Sequence, residues 1–191
     1  MEERKNGGGP ALDFDAFFAR HERPLYAYLC RLLPSEELAV EIAQEAFFRL
    51  WTHLAEVQRY ERPQAWLYRV ATNLAISALR RRQATPFSQL LATTHTGTAN
   101  DGESPGGPEF LLADTLDIEG QAAERDAIAR ALRHLSERER AALLLRAVQG
   151  FSHEEIAEAL EVSVANARQI VARARQHFRH HYDAEPRPAP R

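Results

Sequence analysis

The stretch Phe151 to Arg175, FSHEEIAEALEVSVANARQIVARAR, reads as two helices joined by a tight turn. Gly150 stands where a preceding helix ends and a left-handed residue is wanted, a conformation that glycine adopts without steric cost. Ser152, with Glu155 three residues on, forms a capping box, and Phe151 and Ile156 fall at the positions of a hydrophobic staple. Ile156, Ala157 and Leu160 give the first helix its buried stripe. Glu161-Val162-Ser163 makes the turn, and Ser163 caps a second helix expected to run through Arg175.

On that second helix a buried strip of Val164, Ala167, Ile170, Val171 and Ala174 is surrounded by Arg168, Gln169, Ala172, Arg173 and Arg175. No acidic residue occurs from Val162 to His181, while Arg168, Arg173, Arg175 and Arg179 are all cationic. A cationic helix after a capped helix and a short turn suits the recognition element of a helix-turn-helix, lying in a major groove. Arginine and glutamine there can read base edges or hold phosphates. A surface helix with a solvated basic face has the same local pattern.

The chain has 191 residues and a formal net charge of −3, which argues weakly against a nucleic-acid partner until the charge is mapped. From Gln83 to Glu124 there are seven acidic residues and no Lys or Arg, whereas cations collect at Arg80-Arg81-Arg82 and along the last helix. Local charge decides what binds, not the sum. Cys30 is the only cysteine, so an intrachain disulfide is excluded and a reducing compartment fits; its apolar neighbours favour a buried thiol over a redox sensor. MEERKNGGGP lacks the apolar core of a signal peptide, and no apolar run approaches membrane-spanning length. A soluble, cytoplasmic protein without membrane insertion is expected.

Residues 1–12 read as disordered. Asp13 caps a helix carrying Phe14, Phe17 and Phe18, and Pro24 is expected to end it and to open a new helix carrying Leu25, Tyr28, Leu29 and Leu32. Ser35 caps a third, about Glu36 to His53, which buries Leu38, Ile42, Ala46 and Leu50. Its other side carries Glu41, Gln44, Glu45 and Phe48, either a solvated face or a docking surface for a basic partner. A loop from Leu54 to Arg62 leads to Pro63 and the helix PQAWLYRVATNLAISALRRR. Trp66, Leu67, Val70, Ala71, Leu74 and Ala78 mark its buried face, with Arg69, Thr72, Asn73, Ile76, Ser77 and Arg80 toward the other. Asn73 is a poor mid-helix residue, which points to a functional reason or to a water-bonded amide. Residues 84–119 lose periodicity and read as a flexible acidic linker with two apolar islands, Leu90-Leu91 and Phe110-Leu111-Leu112. Helicity resumes near Gly120. Ser136 and Glu139 form a second capping box, opening a helix to about Gln149. The tail 183–191 is Pro-rich and read as disordered. No strand pattern survives, so the expected fold is all-α, with two small helical domains, 13–83 and 120–182, the second containing the helix-turn-helix.

This layout resembles a bacterial RNA polymerase sigma factor of the sigma-70 family, extracytoplasmic-function (ECF) type. LSERERAALLLRAVQGFSHEEIAEALEVSVANARQIVARAR is similar to the family's region 4, which binds the −35 promoter element. EIAQEAF resembles the region 2.2 helix that docks on the clamp coiled coil of the polymerase β′ subunit, and WLYRVATNLAISALRRR resembles regions 2.3 and 2.4, which open and read the −10 element. The resemblance covers about Phe14 to Arg82 and Ala122 to Phe178.

It implies a non-enzymatic protein without cofactor or metal, whose partners are core RNA polymerase (β′ clamp and β flap) and promoter DNA, with an anti-sigma factor as a further partner to look for. Carried over, Glu41, Gln44, Glu45 and Phe48 would contact the polymerase. Tyr60, Arg69, Asn73, Ser77, Arg80 and Arg81 would serve the −10 element, Asn73 lining the pocket for a flipped base that the loop Glu56 to Gln64 shapes. Tyr68 is a further aromatic expected there, since captured bases stack on exposed rings. Arg168, Gln169, Ala172, Arg173 and Arg175 would face the −35 element. Glu41 replaces the usual Asp, Ala165-Asn166-Ala167 the usual Gly-Thr-Val, Ile170 an Arg and Ala172 an aromatic. Glu161 occupies a turn position often held by Gly.

Two other classes fit parts of the chain. A stand-alone helix-turn-helix regulator explains Phe151 to Arg175 equally well but leaves EIAQEAF and the Asn73 helix unexplained. An enzyme would rest on His177, His180 and His181, where His177 and His181 have an i,i+4 spacing suited to a metal. No carboxylate or cysteine lies among them, and the sequence offers no nucleophile–base pair and no Gly-rich phosphate loop.

Overall fold

The computed structural model describes residues 12–84 and 118–184, with side chains at 12–82 and 124–184, and every regular element among them is helical. The first run holds α1 (Phe14–Leu32), α2 (Glu36–Thr52), the short α3 (Leu54–Val57) and α4 (Pro63–Ala84). The second holds α5 (Ile118–Arg133), α6 (Glu137–Ala147), α7 (His153–Leu160) and α8 (Val164–Asp183). The acidic linker reading and its two apolar islands fall on residues outside those described, as do both terminal segments.

Local chemistry sets the helix ends. The Asp13 carboxylate accepts from the N–H groups of Asp15 and Ala16 at 3.0 and 3.3 Å, and the Ser35 hydroxyl accepts from Leu38. Ser136 with Glu139 and Ser152 with Glu155 close reciprocal capping boxes at the starts of α6 and α7. Each cap satisfies amides that a helix start leaves orphaned, a contribution of about 1 kcal/mol. Gly150, at φ +69°, lets the chain turn out of α6 toward α7, and Ser163 accepts from Asn166 to start α8.

Three boundaries differ from the sequence expectation. α1 runs unbroken through Pro24, which is exposed. Phe17 on one side of the proline and Leu25, Tyr28 and Leu29 on the other are all buried on the same face. Burying each is worth about 1.5–3 kcal/mol, so together they outweigh the ~3 kcal/mol that an interior proline costs. The segment expected as loop from Leu54 contains α3, four residues tied down by the fully buried Val57. α8 continues past Arg175 to Asp183, because Phe178 still finds apolar partners beyond that point.

α4 is the centre of the molecule. α1 and α2 pack on one side of it, and α7 and part of α6 on the other. Thr72 and Ile76, expected on its outward side, are therefore buried. The Thr72 hydroxyl donates to the Tyr68 carbonyl at 2.7 Å, so the Tyr28 hydroxyl donates to Thr72 Oγ1 at 2.8 Å. Burial holds the Tyr28 hydroxyl well above the ordinary tyrosine pKa, keeping this buried bond neutral. In the second half, Leu144, Leu145, Ile156, Leu160, Ile170 and Val171 fill the space among α6, α7 and α8. The two cores are continuous: the rings of Tyr68 and Phe151 meet edge to face with centroids 5.4 Å apart.

Candidate nucleic-acid interface

α8 presents the expected row to solvent. Ala167, Ile170, Val171 and Ala174 face inward, leaving Arg168, Gln169, Ala172, Arg173 and Arg175 exposed; Val164 is half-buried. Arg168 Nη2 lies 3.5 Å from Glu154 Oε1, both side chains more than 60% exposed, so this ion pair is easily exchanged for a phosphate. Hydrogen bonds from its own backbone amide and from Ser152, with Arg168 adding to them, hold the Glu154 carboxyl below its ordinary pKa. A cationic row flanking the small Ala172 methyl combines phosphate anchoring with room for a close approach to base edges.

The second candidate surface lies along α4. Arg69, Asn73 and Ser77 follow one another at single-turn spacing, with Arg80 and Arg81 beyond; Arg69 and Asn73 are half-buried, and Ser77, Arg80 and Arg81 are exposed. Tyr60, just before α4, is partly exposed, and the Arg69 guanidinium sits 5.9 Å from its ring centroid. This pair keeps an aromatic face and a cation together, the combination that stacks bases and holds backbone phosphates. Tyr68 does not join them. Its ring is buried between Tyr28 (5.3 Å) and Phe151 (5.4 Å), and its hydroxyl has no hydrogen-bond partner among the described residues. The expectation that Tyr68 lines a base pocket therefore fails, because the second half of the chain covers it.

The half-buried Asn73 amide is already engaged. Its Nδ2 donates to Glu161 Oε1 at 2.9 Å, across from the turn between α7 and α8. Nearby, Arg62 Nη1 reaches both Glu155 oxygens at 2.6 and 2.8 Å and its guanidinium lies over the Phe151 ring. Arg140 donates to the carbonyls of Leu132, Leu135 and Arg133, and to that of Leu32 at the end of α1. Burial lowers the Arg140 pKa from its ordinary value. None of these contacts between the halves was legible in the sequence, since residues such as Asn73 and Glu161 lie 88 positions apart.

On α2, Glu41, Gln44 and Phe48 are exposed, while Glu45 is drawn into a 2.6 Å pair with Arg49 one turn on. Glu41, Gln44, Glu45 and Phe48 line one wall of a groove of about 490 Å³ whose other wall includes Leu74, Ala78 and Arg81 of α4. Sequence reading missed Trp51, which is 59% exposed like Phe48 three residues before it, and the exposed Val40. The available signal was an apolar set lying outside the buried stripe of the same helix.

The histidines are engaged locally. His177 Nδ1 lies 3.2 Å from Glu139, and His181 stacks on His134 at 4.1 Å. Among the described residues no group of three or more His, Cys, Asp or Glu is placed to hold a metal ion, and no helix is long and apolar enough to cross a membrane.

Known families match this arrangement half by half. Residues 17–85 match the model of sigma-70 region 2, and residues 125–178 that of sigma-70 region 4. The RNA polymerase sigma-H factor of Pseudomonas aeruginosa is 30% identical over 169 residues, covering 85% of this chain and 82% of its own length. The ECF RNA polymerase sigma factor SigG of Mycobacterium tuberculosis is 29% identical over 180 residues, and this chain spans only about half, 47%, of that relative's length. The sigma factor RpoE of Bartonella quintana, solved in complex with the anti-sigma factor NepR, shares the fold with a TM-score of 0.65 at 20% identity, over 91% of this chain and 99% of that one. The chain belongs to the sigma-70 family of RNA polymerase sigma factors. Within it, the two-region organisation and the relatives are those of the ECF type.

Proposed function

We propose that the protein binds core RNA polymerase and directs it to promoters, holding the −35 element on α8 and opening the −10 element on α4. The observation that carries this is the presence of two separate reading rows on one chain. Arg168, Gln169, Ala172, Arg173 and Arg175 form one on α8, and Arg69, Asn73, Ser77, Arg80 and Arg81, with Tyr60, form the other on α4. A duplex offers hydrogen-bonding edges to α8 in its major groove, but a base edge reaches an amide such as Asn73 only after the strand separates. The Asn73 amide can both donate and accept, so it would stabilise the melted state selectively. The α2 groove, with Glu41, Gln44, Glu45 and Phe48, is the docking face for the β′ clamp, and the second half meets the β flap. The chemistry is positioning and charge stabilisation with no covalent step, so no catalytic residue is assigned. Such a role places the protein in the cytoplasm.

In vitro transcription with purified core polymerase on a fragmented genomic library tests the reading. Transcripts that start only when the protein is added, from fragments sharing spaced −35 and −10 elements, are expected. Core polymerase that gains no start sites from the protein would rule the assignment out.

A further inference from the structure

Asn73, which the proposed function assigns to an opened −10 strand, is already engaged by the chain itself, and contacts between the two halves flank it. Asn73 Nδ2 donates to the Glu161 carboxylate, Arg62 pairs with Glu155, and Tyr68 is capped by Phe151. Glu161 is also the one non-glycine residue with positive φ among those described, at +54°. Nothing in that turn calls for a glutamate, because glycine or asparagine suits a left-handed conformation better. What the glutamate contributes is a carboxylate that reaches Asn73.

We propose that Glu161 is a lock on the −10-reading face, an intramolecular competitor for the base edge that Asn73 would bind. This inference rests on the sigma-factor reading above. A carboxylate is a charged acceptor and hydrogen-bonds an amide more strongly than the neutral carbonyl or ring nitrogen of a base, so it competes well. Arg62–Glu155 and the Arg140 bond to the Leu32 carbonyl hold the halves in register around it. The lock is unequal. It engages Asn73, yet leaves Arg168, Gln169 and Arg173 of α8 exposed. The contacts that hold the turn against α4 are polar and partly exposed, so closure can be reversed by a partner that draws the halves apart.

The test uses the full chain with Glu161→Gly and Glu161→Asn. Both suit the left-handed turn, and neither carries a carboxylate that reaches Asn73, so a shared effect reports the lost contact and not altered turn stiffness. In the free proteins, the Asn73 side-chain amide signal in nitrogen–proton correlation spectra, assigned by its loss in Asn73→Asp, should shift in both variants. The small-angle scattering radius should rise in both. On a promoter recovered with core polymerase, both variants at limiting concentration should raise initiation about three- to tenfold, the gain in the open fraction when one hydrogen bond is lost. An unmoved Asn73 signal and an unchanged radius in both variants would overturn the lock whatever transcription shows. A shifted signal with initiation no higher than the parent's would overturn it as a competitor for DNA. Failure of the parent and both variants alike to direct any initiation would instead remove the sigma-factor reading, and the inference with it.

Discussion

α8 and α4 carry the two candidate reading rows, but they are built in opposite ways. α8 lies on the outside of its own half, one face packed on α6 and α7 and the other open, so its row is available in the free chain. α4 is packed on both sides, and its key amide faces the turn that leads into α8. A helix that reads intact duplex needs only a free face and positive charge. A helix that captures a base only after melting can afford to be covered beforehand, provided the cover is held by polar contacts that a partner can exchange. The Asn73–Glu161 and Arg62–Glu155 contacts are of that kind.

The largest effect is expected where the two halves share a side chain. Phe151 is fully buried, packs on Tyr68 and lies under the Arg62 guanidinium. Phe151→Ala removes both the staple of α7 and the apolar bridge to α4, and should destabilise the protein by about 3–5 kcal/mol in denaturant unfolding. A loss below about 1 kcal/mol would mean that the two cores are not continuous at this ring.

Asn73→Ala probes the covered helix alone. It should leave duplex −35 binding intact, because α8 is untouched, while reducing open-complex formation by the equivalent of about 1–3 kcal/mol. Permanganate reactivity of unpaired thymines on a recovered promoter reports opening directly. Reactivity equal to the parent's would make Asn73 merely the donor in an inter-half contact. Arg173→Ala probes the open helix in the same range. A lost base contact should cost about 1–3 kcal/mol at one base pair, whereas a lost phosphate contact should weaken all sequences alike and flatten the salt dependence. If titrations of the variant and the parent on promoter duplex superimpose at every salt concentration, Arg173 is outside the interface.

The same contrast explains what could be read from the sequence. α8 was legible because its two faces differ in kind: apolar residues at helical spacing against a row with no acid between Val162 and His181. The caps at Asp13, Ser35, Ser136, Ser152 and Ser163 were legible because each is a local hydrogen-bond pattern, and all five accept as expected. α4 was legible only in part. Its periodicity marks one buried face, but helices pack on both sides of it, so Thr72, bonded to Tyr28 of α1, and Ile76 are buried too, and no local spacing encodes that. Pro24 misled for the opposite reason, since a local rule was overridden by apolar burial on both sides of it. Tyr68 looked like an accessible aromatic and is instead the floor of the junction.

The smallest expected effect concerns an acid beside the open row, Glu154. Glu154 lies in the first turn of α7, and its exposed carboxylate sits 3.5 Å from Arg168. Its lowered pKa keeps it ionised throughout the neutral range, so it stands as a fixed negative charge next to a helix that should meet phosphates. Glu154→Gln retains the shape and removes the charge. Exposed pairs of this kind add little to folding, so the thermal midpoint should stay where it is. Duplex DNA of any sequence should then bind about two- to threefold more tightly at low salt, the size of one unit charge acting through water at side-chain range. The gain should vanish as the Debye length shrinks toward 3 Å near 1 M salt. If tightening appears at low salt and persists at high salt, Glu154 acts through the shape of the turn and not through its charge. If no tightening appears at either, Arg168 does not approach the phosphates, and the α8 row must engage DNA through its more distal residues.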